Sequence, residues 1–181
     1  MIYGERIRFR RVEKTDIPLF VEWINDPVVT EGLSLYLPMG LWEEEEWFES
    51  LAKNPQAERP LVVETPDGDG WRAIGNVGIH NIDSVARSAE VGIMLGDKSS
   101  WNQGYGTEAM RLLLKHGFET LNLNRIQLYV YEKNTWAIRT YEKVGFVHEG
   151  RRREAHYKKG KYEDILIMSV LRVEWERRIN E

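Results

Sequence analysis

A pair of glycines in front of an amphipathic helix constrains this chain most strongly. Gln103, Gly104, Gly106 and Thr107 precede apolar residues at the i, i+3, i+4, i+7 spacing of a helix face that packs on a sheet. The first N–H groups of a helix have no internal partner and lie at its positive dipole end, so they can bind phosphate without a basic side chain. The positions that would anchor this helix are Met110, Leu113, Leu114, Gly117, Phe118 and Leu121.

Two other interpretations of the glycine pair compete with a phosphate site. The glycines could simply form a turn, and the pair alone does not exclude this. Gly104, Gly106 and Ala109 also fit the dinucleotide fingerprint G-x-G-x-x-A. That fingerprint needs a strand ending directly at the first glycine and an acidic residue roughly 20 positions later. A polar loop precedes Gly104 and Glu132 lies too far along, so the spacing disfavours a dinucleotide site.

The composition excludes several classes of function. The 181 residues contain no cysteine, which removes disulfides, thiolate metal sites and a cysteine nucleophile. A net charge of −4 argues against nucleic acid as the main partner. The chain shows no signal segment and no apolar run of the roughly 20 residues that cross a membrane. We therefore expect one cytoplasmic domain, residues 1–181, with no nucleic-acid or membrane partner.

Periodicity and turn signals predict alternating strands and helices. Thr15 is the predicted N-cap of the first helix, and Gly145 is the predicted end of the fourth. A short helical tail follows the last strand. Strands are expected at residues 7–12, 60–65, 72–82, 88–95, 125–131, 146–156 and 162–171. This order predicts an α/β (α+β) fold, with one mixed, mostly antiparallel twisted sheet of about seven strands flanked by about four helices.

Three segments in a fixed order resemble a known family. They are the strand AEVGIML, the loop and helix start NQGYGTEA, and the segment LYVYEKNTWAIRTYEKVGFVHEG, with N-x-x-A-x-x-x-Y-E-K-x-G-F at residues 134–146. Together they resemble the GCN5-related N-acetyltransferase (GNAT) superfamily, in the branch of ribosomal-protein and spermidine acetyltransferases. The resemblance covers essentially the whole chain and implies the GNAT fold.

The resemblance also implies an acetyl-CoA site. In the family a bulged or splayed strand presents backbone amides to the acetyl-pantetheine arm, and a glycine loop wraps the pyrophosphate. Asn134 corresponds to a residue that hydrogen-bonds the arm, although it would equally serve as an N-cap. The residues implied to bind acetyl-CoA are Gly92, Ile93, Met94, Leu95, Gln103, Gly104, Tyr105, Gly106, Thr107, Asn134 and Ala137.

Two side chains are implied to carry the chemistry of amine acetylation. Tyr141 matches the family's general acid, which would protonate the leaving thiolate; packing alone is the competing interpretation. An ammonium must lose a proton before it attacks, so a base is also needed. Strand alternation places Glu90 on the face of Gly92 and makes it the first candidate for this base. Glu31, His80 and water are the alternatives.

The acceptor is expected to be a primary amine of a small molecule, such as a polyamine, or of a protein N-terminus. Glu31 and Tyr36 are the predicted acceptor-binding residues, and Trp42 and Trp71 could line the same site. The histidines show no metal-ligand spacing, so no metal is expected. A homodimer is possible. The alternative to an enzyme is a regulatory acyl-CoA-binding module that has lost turnover.

Overall fold

A computed structural model describes residues 1–180 and contains one sheet of eight strands with five α-helices. The strand order across the sheet is β1-β2-β3-β4-β5-β6-β8-β7, and every neighbouring pair is antiparallel except β5 and β6. The strands are β1 Ile2–Tyr3, β2 Arg8–Arg11, β3 Leu61–Asp67, β4 Gly70–Asp83, β5 Ser88–Leu95, β6 Arg125–Tyr131, β7 Val147–Lys158 and β8 Lys161–Leu171. The helices are α1 Ile17–Asn25, α2 Leu41–Ser50, α3 Tyr105–Lys115, α4 Thr135–Val144 and α5 Arg172–Ile179.

The mixed α/β fold with a mostly antiparallel sheet is confirmed, with two additions to the predicted elements. The eighth strand is β1, which has only two residues and is too short to show the alternation of apolar and polar residues that identifies a strand. The fifth helix is the predicted tail, α5, whose Trp175 is buried against the core. The predicted boundaries of the other elements lie within a few residues of the observed ones.

The predicted N-cap at Thr15 is wrong. A 3₁₀ turn over Lys14–Asp16 precedes α1, and Asp16 occupies the N-cap position of the helix. The Asp16 carboxylate accepts a hydrogen bond from the Glu13 backbone N–H at 2.8 Å and pairs with Arg10 at 2.7 Å. Thr15 therefore lies inside the 3₁₀ turn that precedes α1 and does not occupy the N-cap position of the helix.

The two faces of the sheet bury separate hydrophobic clusters. Helices α3, α4 and α5 cover one face, with Met110, Phe118 and Trp175 in its core. Helices α1 and α2 cover part of the other face through Phe20 and Trp23 and their neighbours. Because side chains alternate along a strand, β5 contributes to both clusters.

The opening between β5 and β6 lies at the centre of the sheet. These parallel strands pair only at Ser88 with Arg125, Ala89 with Ile126 and Glu90 with Gln127. Beyond Glu90, strand β5 stays paired with β4 while β6 stays paired with β8. The edge of β5 that faces β6 therefore has no strand partner over residues 91–95.

Two glycines of β4 provide a matched test of how tightly β4 and β5 are packed. A Cβ at Gly75 would meet the Met94 carbonyl oxygen and lie 2.9 Å from the Leu95 Cα, whereas a Cβ at Gly78 would meet nothing within 4 Å. We expect Gly75→Ala to lower the free energy of unfolding by about 1–3 kcal/mol, because backbone atoms cannot move aside cheaply. Gly78→Ala should change it by less than about 0.5 kcal/mol. Urea unfolding measures both, and equal losses would contradict this account of the packing.

Candidate active site

The opening between β5 and β6 exposes backbone groups of the strand predicted to contact the acetyl-pantetheine arm. Gly92, Ile93, Met94 and Leu95 all lie beyond the last β5–β6 pair. The β4–β5 register is continuous over these residues, and its irregularity lies between His80 and Asp83. The strand is therefore splayed from β6 and not bulged. The Leu95 carbonyl accepts a hydrogen bond from Trp101 Nε1 at 2.9 Å. The other N–H and C=O groups that point away from β4 require a partner from water or a ligand.

The glycine turn places free backbone donors at the start of α3. Gly104 has φ +85°, a left-handed conformation that favours glycine. The first helical hydrogen bond runs from the Glu108 N–H to the Gly104 carbonyl at 3.0 Å. Within residues 1–180, the N–H groups of Gly104, Tyr105, Gly106 and Thr107 make no backbone hydrogen bond. Four donors therefore converge where an anion would bind.

Gln103 has a different local role from the one that its position implies. Its side-chain amide donates to the Ser99 carbonyl at 2.6 Å, so the side chain folds back on the loop. Any contribution of Gln103 to the anion site would come from its backbone.

Asp97 anchors the entry to this loop and was not identified from the sequence. Its carboxylate accepts hydrogen bonds from the Ser99 N–H at 2.9 Å and the Ser100 hydroxyl at 2.6 Å, and it also pairs with Arg72. These donors outweigh the desolvation of the carboxylate and lower the pKa of Asp97 to about 2. The Asp-x-Ser-Ser pattern, in which a carboxylate caps a short turn, was the available signal.

Asn134 lies between the start of α4 and the irregular segment of residues 28–40. Its side-chain oxygen accepts a hydrogen bond from the Ala137 N–H at 3.2 Å, so the alternative role as an N-cap is realised. Its side-chain nitrogen lies so close to Gly32 that a Cβ at residue 32 would require the Asn134 side chain to move. A role of Asn134 and Ala137 in binding the pantetheine arm stays a prediction.

Tyr141 lies on α4 and is buried, with 8% of its surface exposed. Its ring packs near Phe146, with ring centroids 5.8 Å apart. Burial raises the pKa of Tyr141 to about 12, and no nearby charge among the described residues offsets this effect. The phenol therefore keeps its proton at neutral pH, as a general acid requires.

Glu90 occupies the last paired position before the opening. Its carboxylate lies 3.6 Å from His80 Nε2, and it accepts hydrogen bonds from the side-chain amides of Asn81 at 3.2 Å and Gln127 at 3.3 Å. The Gln127 amide also lies 3.3 Å from the Tyr129 hydroxyl. These groups line the sheet face opposite the core that contains Ala89 and Val91. The structure thus brings two of the candidate bases, Glu90 and His80, together.

The irregular segment does not present the predicted acceptor-binding residues as free side chains. Glu31 is mostly exposed and pairs with Lys159 at 2.7 Å, which lowers the pKa of the Glu31 carboxyl. Tyr36 is exposed, and its hydroxyl lies 3.3 Å from His156 Nδ1. Of the two tryptophans, Trp42 is exposed at the start of α2, while Trp71 lies in the β3–β4 hairpin with Arg8 4.3 Å above its ring.

The end of β7 contacts residues 29–36 of the irregular segment, and we call this part the acceptor segment. Lys158 donates hydrogen bonds to the carbonyls of Thr30, Glu31 and Leu33 at 2.7, 2.8 and 3.0 Å. Tyr131, at the end of β6, contacts the Ser34 hydroxyl. The segment is therefore fixed beside the opening by residues distant in sequence.

His156 is the most buried residue of this arrangement. It is 3% exposed and stacks on Tyr131, with ring centroids 3.9 Å apart. Its Nε2 is buried and has no hydrogen-bond partner among the described residues. Burial lowers the pKa of His156, so the imidazole is neutral at neutral pH.

Residues 1–180 contain neither a group of metal ligands nor a helix that could span a membrane. Three or more His, Cys, Asp or Glu side chains are nowhere grouped as a metal ion would require. No helix in the same range combines the length and apolar character needed to span a bilayer.

A splayed central strand thus leads into a helix start with free amides, and comparison with known proteins gives the family. Residues 6–147 match the model of the acetyltransferase (GNAT) domain. The chain therefore belongs to the GNAT acetyltransferase family and is an acetyl-CoA-dependent N-acetyltransferase. This confirms the resemblance and the fold that it implied.

Two relatives and one solved structure illustrate the similarity. The uncharacterized N-acetyltransferase p20 of Bacillus licheniformis is 30% identical over 178 residues, covering 96% of this chain and 97% of the relative. The spermidine N(1)-acetyltransferase of Vibrio cholerae is 32% identical over 148 residues, covering 77% and 83%. The crystal structure of spermidine N-acetyltransferase from Vibrio cholerae with CoA and spermine has a TM-score of 0.85, with 27% identity and coverage of 94% and 98%.

Lys158→Met tests whether β7 orders the acceptor segment. Three carbonyls lose a charged donor, so amide hydrogen exchange in residues 29–36 should accelerate at least about tenfold. Exchange in β4 and α3 should not change. Lys161→Met is the matched control, because Lys161 is exposed and lies opposite Lys158 across the β7–β8 pair. Exchange mass spectrometry would contradict the assignment if both variants behaved like the parent protein.

Proposed function

We propose that this enzyme transfers the acetyl group of acetyl-CoA directly to a small primary amine held between the splayed strands and the acceptor segment. The observation that carries the proposal is the end of β5–β6 pairing at Glu90, on the strand that leads into the glycine turn. One strand thus supplies an unpaired edge, a carboxylate at its start and a helix N-terminus beyond its end.

The residues present fit acetyl-CoA. Four free N–H groups at residues 104–107 suit a pyrophosphate, because a helix start binds anions through backbone donors. The unpaired edge of residues 92–95 suits the amide-bearing pantetheine arm, which can hydrogen-bond like an added strand. Acetyl-CoA supplies an activated acetyl thioester.

Tyr141 is the proposed general acid. A thiolate must be protonated when the thioester is cleaved, and a phenol that stays neutral can donate that proton. Burial keeps Tyr141 protonated, with a pKa of about 12. Packing of α4 on the core also fixes the ring, so its hydroxyl has a defined position.

Glu90 is the proposed general base. Within residues 1–180, its carboxylate contacts His80, Asn81 and Gln127 and forms no ion pair with a lysine or arginine. Glu31 is a weaker choice, because Lys159 pairs with it and lowers the pKa of its carboxyl. The Gln127 amide orients the Glu90 carboxylate and connects it to Tyr129.

The acceptor is proposed to be a small molecule with a primary ammonium group. This group would bind the Glu90 carboxylate first and then transfer its proton to that carboxylate. Spermidine acetyltransferases among the relatives support this class of acceptor. A cytoplasmic location and a homodimer remain predictions; exposed Val173 and Ile179 on α5 are apolar residues that a second copy could cover.

Titration calorimetry with acetyl-CoA, followed by a thiol-release assay, tests the function. We expect about micromolar binding and release of CoA with spermidine, an N-terminal peptide or glucosamine. Tyr141→Phe should bind acetyl-CoA like the parent protein and turn over at least about tenfold more slowly, a barrier increase of about 1.4 kcal/mol. Binding without turnover on any amine would favour the regulatory acyl-CoA-binding module. Absence of binding would refute the proposal, and unchanged turnover would remove Tyr141 from the mechanism.

Glu90→Gln tests the base on the amine that gives turnover. Glutamine preserves the shape of the side chain and one of its two acceptor oxygens but cannot accept a proton, so the reaction must rely on amine already neutral in solution. The optimum pH for turnover should therefore rise, because the neutral fraction of an ammonium with a pKa near 10 increases with pH. His80→Gln removes the other candidate base of this pair, and it should leave the pH optimum at the value of the parent protein if Glu90 removes the proton. A pH profile that Glu90→Gln leaves unshifted would assign proton removal to water or another residue.

A further inference from the structure

Arg6 contacts the glycine turn from the far end of the sheet. It lies between β1 and β2, and its Nη1 donates a hydrogen bond to the Gln103 carbonyl at 3.0 Å. Its guanidinium carbon lies 4.8 Å above the ring of Tyr105. Its Nε and its backbone N–H donate to the two carboxylate oxygens of Glu108 at 2.9 and 2.7 Å. One side chain thus holds residues on both sides of Gly104.

The bond to the Gln103 carbonyl fixes the direction of a neighbouring donor. In a trans peptide the C=O and the following N–H point in opposite directions. When Arg6 holds the Gln103 carbonyl, the N–H of Gly104 must project away from Arg6. Gly104 is the left-handed residue of the turn, so its peptide plane could otherwise rotate easily. Arg6 therefore selects one orientation of the first free donor in the turn.

Glu108 gives Arg6 a second effect on this site. Its carboxylate lies in the first turn of α3 and is mostly buried, with 14% of the side chain exposed. An unpaired carboxylate at that position would repel a bound phosphate. The bond to Arg6 offsets this charge. Arg6 could therefore favour phosphate binding by orienting the Gly104 N–H or by neutralising the Glu108 carboxylate, and an experiment must separate these two effects.

We propose that Arg6 is a positioning residue for the pyrophosphate of acetyl-CoA, acting through the Gln103–Gly104 peptide. The proposal rests on the proposed function, because it assumes that the turn binds the pyrophosphate. Arg6 approaches the turn from the side opposite to the Gly104 N–H, so its role is to hold the loop and not to contact the phosphate.

A double-mutant cycle separates the two effects of Arg6. We expect Arg6→Met to weaken acetyl-CoA binding at least about tenfold, as loss of a charged hydrogen bond would. Glu108→Gln should bind within about twofold of the parent protein. The double variant should remain at least about fivefold weaker, because removing Glu108 does not restore the bond to the Gln103 carbonyl. Arg11→Met is the control for losing an arginine from this edge, since Arg11 holds the Gln56 carbonyl instead.

Calorimetry with acetyl-CoA and with its 3′-dephospho form gives the readouts. Equal losses with both ligands would support an effect at the pyrophosphate, and a loss confined to acetyl-CoA would overturn the proposal. Full recovery in the double variant would also overturn it, by reducing Arg6 to a counter-ion of Glu108. Thermal unfolding without ligand shows whether each variant is folded. If the parent protein binds acetyl-CoA but Arg6→Met binds equally well, this inference fails while the proposed function stands.

Discussion

The short pairing between β5 and β6 is the constraint on which the rest of the site depends. Three residue pairs join these parallel strands, after which each keeps only its antiparallel neighbour. An unpaired strand edge inside a sheet is costly unless a ligand or water satisfies it. Because the opening lies in the middle of the sheet and not at its border, the strands around it fix its shape before any ligand binds.

Strand alternation divides the site between the two faces of the sheet. Val91 packs in the core beneath α3 and α4, the face that also carries Tyr141. Glu90 points to the opposite face, where it contacts His80 and Gln127. The proposed acid and the proposed base therefore lie on opposite faces of the sheet. This arrangement suits direct transfer, in which an amine approaches from one face while the thiol departs toward the other.

The sequence predicts the structural features that depend on neighbouring residues, and it does not predict those that depend on contacts between distant residues. The period of α3, the alternation of β5 and the glycine that ends α4 all act within a few residues, and the structure has each of them. The predicted N-cap at Thr15 is wrong because a 3₁₀ turn over residues 14–16 precedes α1, and the Asp16 carboxylate that closes this turn also pairs with Arg10 of β2. Lys158 donates a hydrogen bond to Thr30, which is 128 positions away in the chain, and a single sequence does not show which distant residues are in contact.

The acceptor segment shows why fold and reaction are easier to predict than the acceptor. Its two predicted ligands, Glu31 and Tyr36, contact Lys159 of the turn between β7 and β8 and His156 of β7. The charge and shape that an amine meets thus depend on pairs that join opposite ends of the chain. A change at Lys159 removes the partner of the Glu31 carboxylate, and a change at His156 removes the partner of the Tyr36 hydroxyl; neither residue contacts the glycine turn in residues 1–180. Relatives can therefore share the fold and the chemistry of acetyl transfer while differing in the amine that they accept.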